Sequence, residues 1–338
     1  MSAVFEVATR DAAAPHPCVA QTTPSTFAYD VLQGLAQTQK SIPCTWLYDP
    51  RGAALFETIT TLDEYDLARN ETMILERCAG EIARAAGPGA TLIELGSGPS
   101  RKTRLLLAAL DAPAAYVPID VSAQFMGEAV HALRAEFAQL TVAPVGADFT
   151  RLTALPQLAH LPAGGRRVVF FPGSTIGNFH PDAATALLQR IGQLAGPDAL
   201  LVVGADATHD PNLLIPAYDD AKGVTAAFNK NLLARINREL GGDFTLSAFR
   251  HEARFIAQEP RIETHLVSEY TQRVKVRGRT FHIGMGESIH TESAYKYSLV
   301  RFQALARRAG WSQLQFWMDG QARFAVHVLE PCPTGPWH

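Results

Sequence analysis

The chain has 338 residues, of which 47% are hydrophobic and 19% are charged, and its formal net charge is -3. This length and composition predict a globular protein with a large core, built as two domains or as one domain with a large insertion. The nearly balanced charge and the lack of a basic stripe argue against an obligatory nucleic-acid partner, and no stretch is apolar enough to predict a membrane span.

The cysteines and the N-terminus indicate a cytoplasmic protein. Cys18, Cys44, Cys78 and Cys332 form no C-x-x-C pair and no framework spacing, so we expect neither zinc nor structural disulfides. Residues 1–26 carry acids and prolines without a long apolar run, which predicts a flexible lead-in and not a secretory signal. The sequence does not fix the oligomeric state, and a monomer is compatible with it.

Helix and strand patterns alternate from Glu71 onward. We predict helices over residues 71–86, 101–110, 123–139 and 181–194. We predict strands over residues 91–95, 115–119, 142–145, 167–171 and 199–204. Short apolar strands separated by amphipathic helices predict a mostly parallel sheet with helices on both faces.

The alternation stops near Pro211. One or two helices are predicted over 211–240, and strands over 251–256, 261–276 and 280–289. A helix over 299–309 and an antiparallel edge hairpin over 314–318 and 324–328 follow. We therefore predict an α/β fold with a Rossmann-like domain (residues 71–206 and 297–338). An α+β substrate-binding lobe (residues 27–70 and 207–296) would cover the carboxyl edge of its sheet and enclose a small-molecule site.

A glycine-rich loop follows the first predicted strand, in the order Glu94-Leu95-Gly96-Ser97-Gly98. A dinucleotide fingerprint has a third glycine where this chain has Arg101, which disfavours a nicotinamide oxidoreductase. The Glu94 carboxylate would repel a pyrophosphate and suit a cationic ligand. The pattern resembles the first motif of S-adenosylmethionine-dependent methyltransferases. A turn that serves backbone geometry alone is the structural alternative.

Polar residues also follow the later strands. Asp120, about 24 residues after Gly96, is placed to accept hydrogen bonds from ribose hydroxyls. Asp148 and Phe149 end the third strand, where methyltransferases often place an acid on the adenine amino group and a ring beside the base. The turn over 173–178 offers carbonyl groups and the Asn178 amide to an amine. Turn geometry alone is again the structural alternative.

Motifs in both parts of the chain together resemble the histidine-specific Nα-methyltransferase family of ergothioneine biosynthesis. The resemblance covers nearly everything after about Phe27. The motifs that carry it span 46–52, 55–56, 64–65, 94–103, 173–178, 218–229, 237–240, 261–263 and 289–292. It implies transfer of three methyl groups from S-adenosylmethionine to the α-amine of L-histidine, which gives the betaine hercynine and S-adenosylhomocysteine.

The resemblance also implies roles for individual residues. It places the substrate's amino and carboxylate groups on Tyr48, Tyr65, Asn178 and Tyr218, and its imidazole on Glu292. It places the cofactor on Gly96, Ser97, Gly98, Lys102, Asp120, Asp148 and Phe149. We expect Asn178 to orient the amine, Tyr48 to help release protons, and no metal to take part.

Two positions depart from the family pattern. The histidine enzymes have a serine two residues after the glutamate, where this chain has Ala294 with Ser293 beside it. The position after Glu263 is often methionine, and here it is Thr264. We include Ser293, Ala294 and Thr264 in the substrate-binding set. The lost hydroxyl hydrogen bond is worth about 0.5–1.5 kcal/mol. This leaves room for tryptophan, a tryptophan derivative or another amino acid. A non-catalytic cofactor-binding regulatory protein is the alternative of another class.

Overall fold

The computed structural model describes residues 24–98, 101–121, 123–155, 158, 161 and 164–333. Residues 1–23 of the predicted lead-in lie outside these ranges. The boundary predicted at residue 26 is wrong, because helix α1 (Pro24–Ala36) already includes residues 24–26. Phe27, Val31 and Leu35 recur at helical spacing and are buried, which accounts for the helix.

The strands of the described chain fall into three sheets. They are β1 (Lys40–Ser41), β2 (Thr91–Leu95), β3 (Ala115–Asp120), β4 (Thr141–Val142), β5 (Val145–Gly146), β6 (Arg167–Phe171), β7 (Leu200–Asp206), β8 (Phe249–Ile256), β9 (Arg261–Ser268), β10 (Gln272–Val276), β11 (Arg279–Ile283), β12 (Ser288–Tyr295), β13 (Trp311–Met318) and β14 (Phe324–Pro331).

The remaining helices connect these strands. They are α2 (Pro50–Ile59), α3 (Leu67–Ala86), α4 (Arg101–Ala109), α5 (Ala123–Glu136), α6 (Pro181–Ala195), α7 (Pro211–Tyr218), α8 (Val224–Leu240) and α9 (Leu299–Arg308).

The largest sheet has the order β13-β14-β7-β6-β2-β3-β4, with β5 also paired to β3. The strands from β2 to β7 in this sheet are parallel, whereas β14 runs antiparallel to β7 and β13. Leu200 and Val202 of β7 belong to a buried cluster that also includes residues of α3, α4 and α5, whereas Leu201 and Val203 belong to a second cluster that includes residues of α6 and α9. The predicted Rossmann-like sheet with an antiparallel edge hairpin is confirmed.

A second sheet has the order β1-β12-β9-β8, and β10 and β11 form a separate hairpin. The single strands predicted over 261–276 and 280–289 are wrong, because each contains a turn. The Ser268 hydroxyl donates to the Tyr270 carbonyl over 2.8 Å, and the Gly284 N–H donates to the Glu287 carboxylate over 2.7 Å. Apolar residues alternate on both sides of these polar turns, so the sequence pattern predicts one continuous strand in each range.

Two further observations concern the described ranges. No helix there combines the length and the apolar composition needed to cross a membrane. No three side chains of the His, Cys, Asp or Glu type cluster there as metal ligands would.

Candidate active site

The glycine loop packs against the carboxyl ends of β2 and β3. The Gly96 N–H donates to the Ile119 carbonyl over 2.8 Å, and the Gly98 N–H donates to Asp120 Oδ2 over 3.0 Å. Gly96 and Gly98 have φ angles of 72° and 45°, which glycine adopts without strain. A Cβ on Gly96 would lie 3.8 Å from Cε1 of Phe149. The structure thus brings the loop, Asp120 and Phe149 together at one edge of the sheet.

The side chains of Ser97 and Asp148 differ in whether they form hydrogen bonds within the described chain. The Ser97 hydroxyl is buried, and no described residue forms a hydrogen bond with it. The Asp148 carboxylate accepts from the Thr150 N–H over 2.9 Å and from its hydroxyl over 2.6 Å, and so caps a short 3₁₀ helix. Ser97 therefore offers a free polar atom to a ligand, whereas a contact from Asp148 to adenine stays a prediction.

Glu94 does not meet a ligand at the loop, so the expectation that its carboxylate faces a cation is wrong. It is buried below the loop, where it accepts from the Thr103 hydroxyl over 2.7 Å and from the Tyr116 hydroxyl. Burial raises the pKa of Glu94 to about 8. Its largely protonated carboxyl group joins β2 to α4 and β3.

Lys102 pairs with Glu71, a buried residue whose role the sequence analysis did not detect. The Glu71 carboxylate also accepts from the Gly173 N–H, at 2.9 and 3.1 Å from its two oxygens. It therefore connects the helix behind the glycine loop to the turn after β6. A signal was present, because Glu71 shares a helical face with the apolar Ile74 and Cys78.

The turn after β6 contacts the substrate lobe very closely. A Cβ on Gly177 would lie 2.7 Å from the Tyr295 carbonyl oxygen, so a larger residue would force the two segments apart. Asn178 ends the 3₁₀ helix Thr175–Asn178 and is half-buried. The next ring, Phe179, has its centroid 6.3 Å from that of Phe149. Asn178 thus lies between the glycine-loop edge and β12.

Tyr48 is held in place through its neighbour Asp49, which caps α2. Asp49 Oδ1 accepts from the Gly52 N–H and from the Asn231 side chain, both over 2.7 Å. Arg238 donates to the other oxygen over 2.6 Å. These contacts join the motif over 46–52 to the motif over 237–240 and to Asn231 of α8, so the two motifs fix one another in the fold.

Aromatic rings form one wall of the site. The centroid of Tyr48 lies 5.4 Å from that of Phe228, and the centroid of Tyr65 lies 6.1 Å from that of Tyr218. Burial raises the pKa of Tyr48, Tyr65 and Tyr218 well above the ordinary value, and the charge of Glu292 adds to each shift. The three phenols therefore keep their protons, which leaves each hydroxyl able to donate a hydrogen bond to a ligand.

Glu292 projects from β12 opposite Thr264 of β9. Burial raises the pKa of Glu292 to about 7, and the nearby charge of Lys296 lowers it in part. Within the described chain, no hydrogen bond to its carboxyl group is found. Cys44 lies close by, and burial raises the pKa of its thiol to about 12, with a contribution from Glu292. The site thus holds a carboxyl group whose acceptors are available to a ligand.

The structure does not bring Ser293 into this set. Its hydroxyl lies 3.0 Å from Nε2 of His290 on the opposite face of β12, because successive strand residues alternate in direction. Ala294 shares the face of Glu292 and is buried. The Thr264 hydroxyl lies 2.9 Å from that of Thr291, so its hydrogen-bonding capacity is partly used within the sheet.

Lys296 and Asp206 form a second pair that the sequence analysis did not detect. Lys296 Nζ lies 2.6 Å from Asp206 Oδ2 and 3.0 Å from the Tyr218 hydroxyl oxygen. Asp206 ends β7 and Lys296 follows β12, so 90 positions separate them. The available signal was that Lys296 keeps the two-residue alternation of Glu292 and Ala294.

Several known proteins are similar to this chain in sequence or in fold. The model of the family described as "Histidine-specific methyltransferase, SAM-dependent" matches residues 27–331. Histidine N-alpha-methyltransferase of Mycolicibacterium smegmatis is 40% identical over 304 residues, 88% of this chain and 93% of that protein. Ergothioneine biosynthesis protein 1 of Neurospora crassa is 29% identical over 305 residues, 86% of this chain and 33% of that protein. The CcbJ methyltransferase structure from Streptomyces caelestis aligns with a TM-score of 0.44 and 16% identity, over 76% of this chain and 95% of its own.

Proposed function

Because this chain belongs to the family of histidine-specific, S-adenosylmethionine-dependent methyltransferases, we propose that it methylates the α-amino group of L-histidine three times, giving hercynine. The observation that carries the proposal is the available carboxyl group of Glu292 beside three protonated tyrosines. An imidazole N–H is a suitable donor to that carboxyl group. The name of the Neurospora relative supports a place in ergothioneine-type biosynthesis.

The glycine-loop edge fits the cofactor. The buried Ser97 hydroxyl lacks a partner among the described residues, and a Cβ on Gly98 would meet no described atom within 4 Å. Polar and aromatic groups there match a nucleoside with a charged tail. The residues that would hold S-adenosylmethionine are Gly96, Ser97, Gly98, Lys102, Asp120, Asp148 and Phe149. When bound, it supplies an electrophilic methyl group on a sulfonium.

The protein's part in the reaction is to bind a neutral amine in line with that methyl group. An ammonium has no lone pair, and a site beside a sulfonium lowers the pKa of a second cation. Asn178 would orient the amine, so that alignment supplies most of the rate enhancement. The raised pKa of buried Tyr48 means that its phenol can accept a proton only while donating its own. We therefore assign Tyr48 to a relay, in which it takes the proton released by the amine while its own proton passes to water and on to solvent.

The experiment is methyl transfer from labelled cofactor to a panel of free amino acids. We expect L-histidine to be the best substrate, whereas a preference for tryptophan would favour the alternative raised by Ala294 and Thr264. Asn178→Ala should lower the rate by roughly a hundredfold, because misplaced reactants lose alignment. It should leave the circular dichroism spectrum unchanged.

Asn212→Ala is the matched control, since Asn212 is exposed at the start of α7 and should tolerate the change. Normal turnover by Asn178→Ala would remove Asn178 from the catalytic set. Cofactor binding without turnover on any amine would instead support a regulatory protein.

A further inference from the structure

Lys296 places a positive charge inside the wall of the substrate site. The residue is 2% exposed and its partner Asp206 is fully buried. The ammonium also lies 4.7 Å from the centroid of the Tyr218 ring. A buried ion pair loses hydration, and apolar residues of similar volume often stabilise a fold equally well. Stability alone therefore does not account for a lysine at this position.

The pair determines how the Tyr218 hydroxyl can bond. An ammonium carries three N–H donors and no acceptor, so the Tyr218 oxygen must accept from Lys296. The phenolic hydrogen then points away from Lys296. No residue of the described chain accepts that hydrogen, and burial raises the pKa of Tyr218, so the hydrogen stays in place. A hydroxyl that accepts from a cation is also polarised into a better donor.

Asp206 fixes this arrangement relative to the turn that carries Asn178. The Asp206 N–H donates to the Ser174 hydroxyl oxygen over 2.9 Å, and the Asp206 carbonyl accepts from the Tyr297 N–H over 2.8 Å. The Thr208 N–H donates to the second carboxylate oxygen of Asp206, Oδ1, over 2.8 Å. The carboxylate that holds Lys296 is therefore rigid and tied to both halves of the site.

We propose that Lys296, anchored by Asp206, is a positioning residue that directs the Tyr218 hydroxyl hydrogen to the carboxylate of the amino-acid substrate. This inference rests on the proposed function, because it requires an α-amino acid in the site. The pair thereby selects α-amino acids over amines that lack a carboxylate.

The test is calorimetric titration of the Lys296→Met enzyme, loaded with S-adenosylhomocysteine, with L-histidine and with histamine. We expect the Kd of L-histidine to rise at least about tenfold, which corresponds to about 1.4 kcal/mol. The Kd values of histamine and of S-adenosylhomocysteine should change less than about twofold. Equal weakening of both amines would indicate general structural damage and overturn the inference. The exposed Lys275→Met is the matched control.

A double-mutant cycle with Tyr218→Phe separates positioning from structure. If Lys296 acts through the Tyr218 hydroxyl, adding Tyr218→Phe to Lys296→Met lowers the affinity for L-histidine little further. Additive losses would overturn the proposed link. If Lys296→Met does not fold because Asp206 is left as an unpaired charge, Lys296→Met/Asp206→Asn removes both charges and is tested in the same way.

The wild-type enzyme distinguishes the two proposals. Wild-type protein that methylates no amino acid would overturn the proposed function. Wild-type activity on L-histidine, together with unchanged histidine affinity in Lys296→Met, would overturn the positioning role alone.

Discussion

At the residue scale, the buried carboxyl group of Glu292 reduces the stability of the folded protein near neutral pH. Burial raises its pKa from 4.5 to about 7 in the folded protein. Between these values the folded chain binds more protons than the unfolded chain. The free energy of unfolding therefore falls as pH rises through this window. The group thus lowers the stability of the ligand-free protein at neutral pH, which supports the proposed role of Glu292 in binding the substrate.

We expect Glu292→Gln to raise the melting temperature of the ligand-free protein at about pH 8, with a smaller gain at about pH 5, where the carboxyl group is already protonated. Thermal melts at both pH values measure this difference. An equal shift at both would contradict the assignment.

Glu263 is the matched control for that comparison. Its burial alone would raise its pKa, but hydrogen bonds from His265 and Arg261 outweigh burial and lower it. The contribution of a lowered pKa is present above the unfolded pKa and is lost as pH falls. Glu263→Gln should therefore destabilise the protein at about pH 8, with the opposite sign to Glu292→Gln.

At the element scale, buried carboxyl groups connect the segments that would bind the cofactor. Glu94 joins β2 to α4 and β3, and Glu71 joins α3 and α4 to the turn after β6. The positions of the glycine loop and of the turn after β6 are thus fixed by side chains beneath them. A change below the loop is therefore expected to act on both.

Glu94→Gln should be tolerated, because an amide keeps an acceptor for Thr103 and Tyr116. Glu94→Ala leaves two buried hydroxyls without their acceptor, and we expect a loss of roughly 2–4 kcal/mol in the free energy of unfolding. Urea denaturation of the two variants measures the contrast. Equal stabilities would show that Glu94 is not a structural link.

Elements with local signals were predictable from the sequence, and those set by distant contacts were not. The glycine loop and the ends of β2, β3 and β6 follow from apolar runs bounded by glycine or acid. The Lys296–Asp206 pair joins segments 90 positions apart, so strand alternation indicates only the face that Lys296 occupies and not its partner. A register shift between His290 and Glu292 also changes which face of β12 each side chain occupies. Beyond that shift, the ordinary alternation of the strand directs Ser293 toward His290 and away from Glu292, although Ser293 and Glu292 are neighbours in sequence.

At the scale of the whole molecule, the two predicted lobes share one hydrophobic core. A single cluster of buried residues extends from Trp46, Phe228 and Phe249 in the substrate lobe to Ile74 and Phe170 beside the large sheet. The predicted division at residues 27–70 and 207–296 therefore does not separate two independent cores. Separating the lobes would expose apolar surface on both.

We expect one cooperative calorimetric transition for the ligand-free protein, with equal calorimetric and van't Hoff enthalpies, because neither lobe keeps its core without the other. Differential scanning calorimetry measures this. Two resolved transitions would contradict a shared core.

The close contact between Gly177 and the Tyr295 carbonyl separates two properties of the protein. It pins the backbone of β12 against the turn that holds Asn178. Exchanging the side chains at Glu292 and Ala294 therefore need not displace the reacting amine. Laboratory evolution at these two positions can therefore change which amino acid is bound without changing the alignment of the amine for methyl transfer.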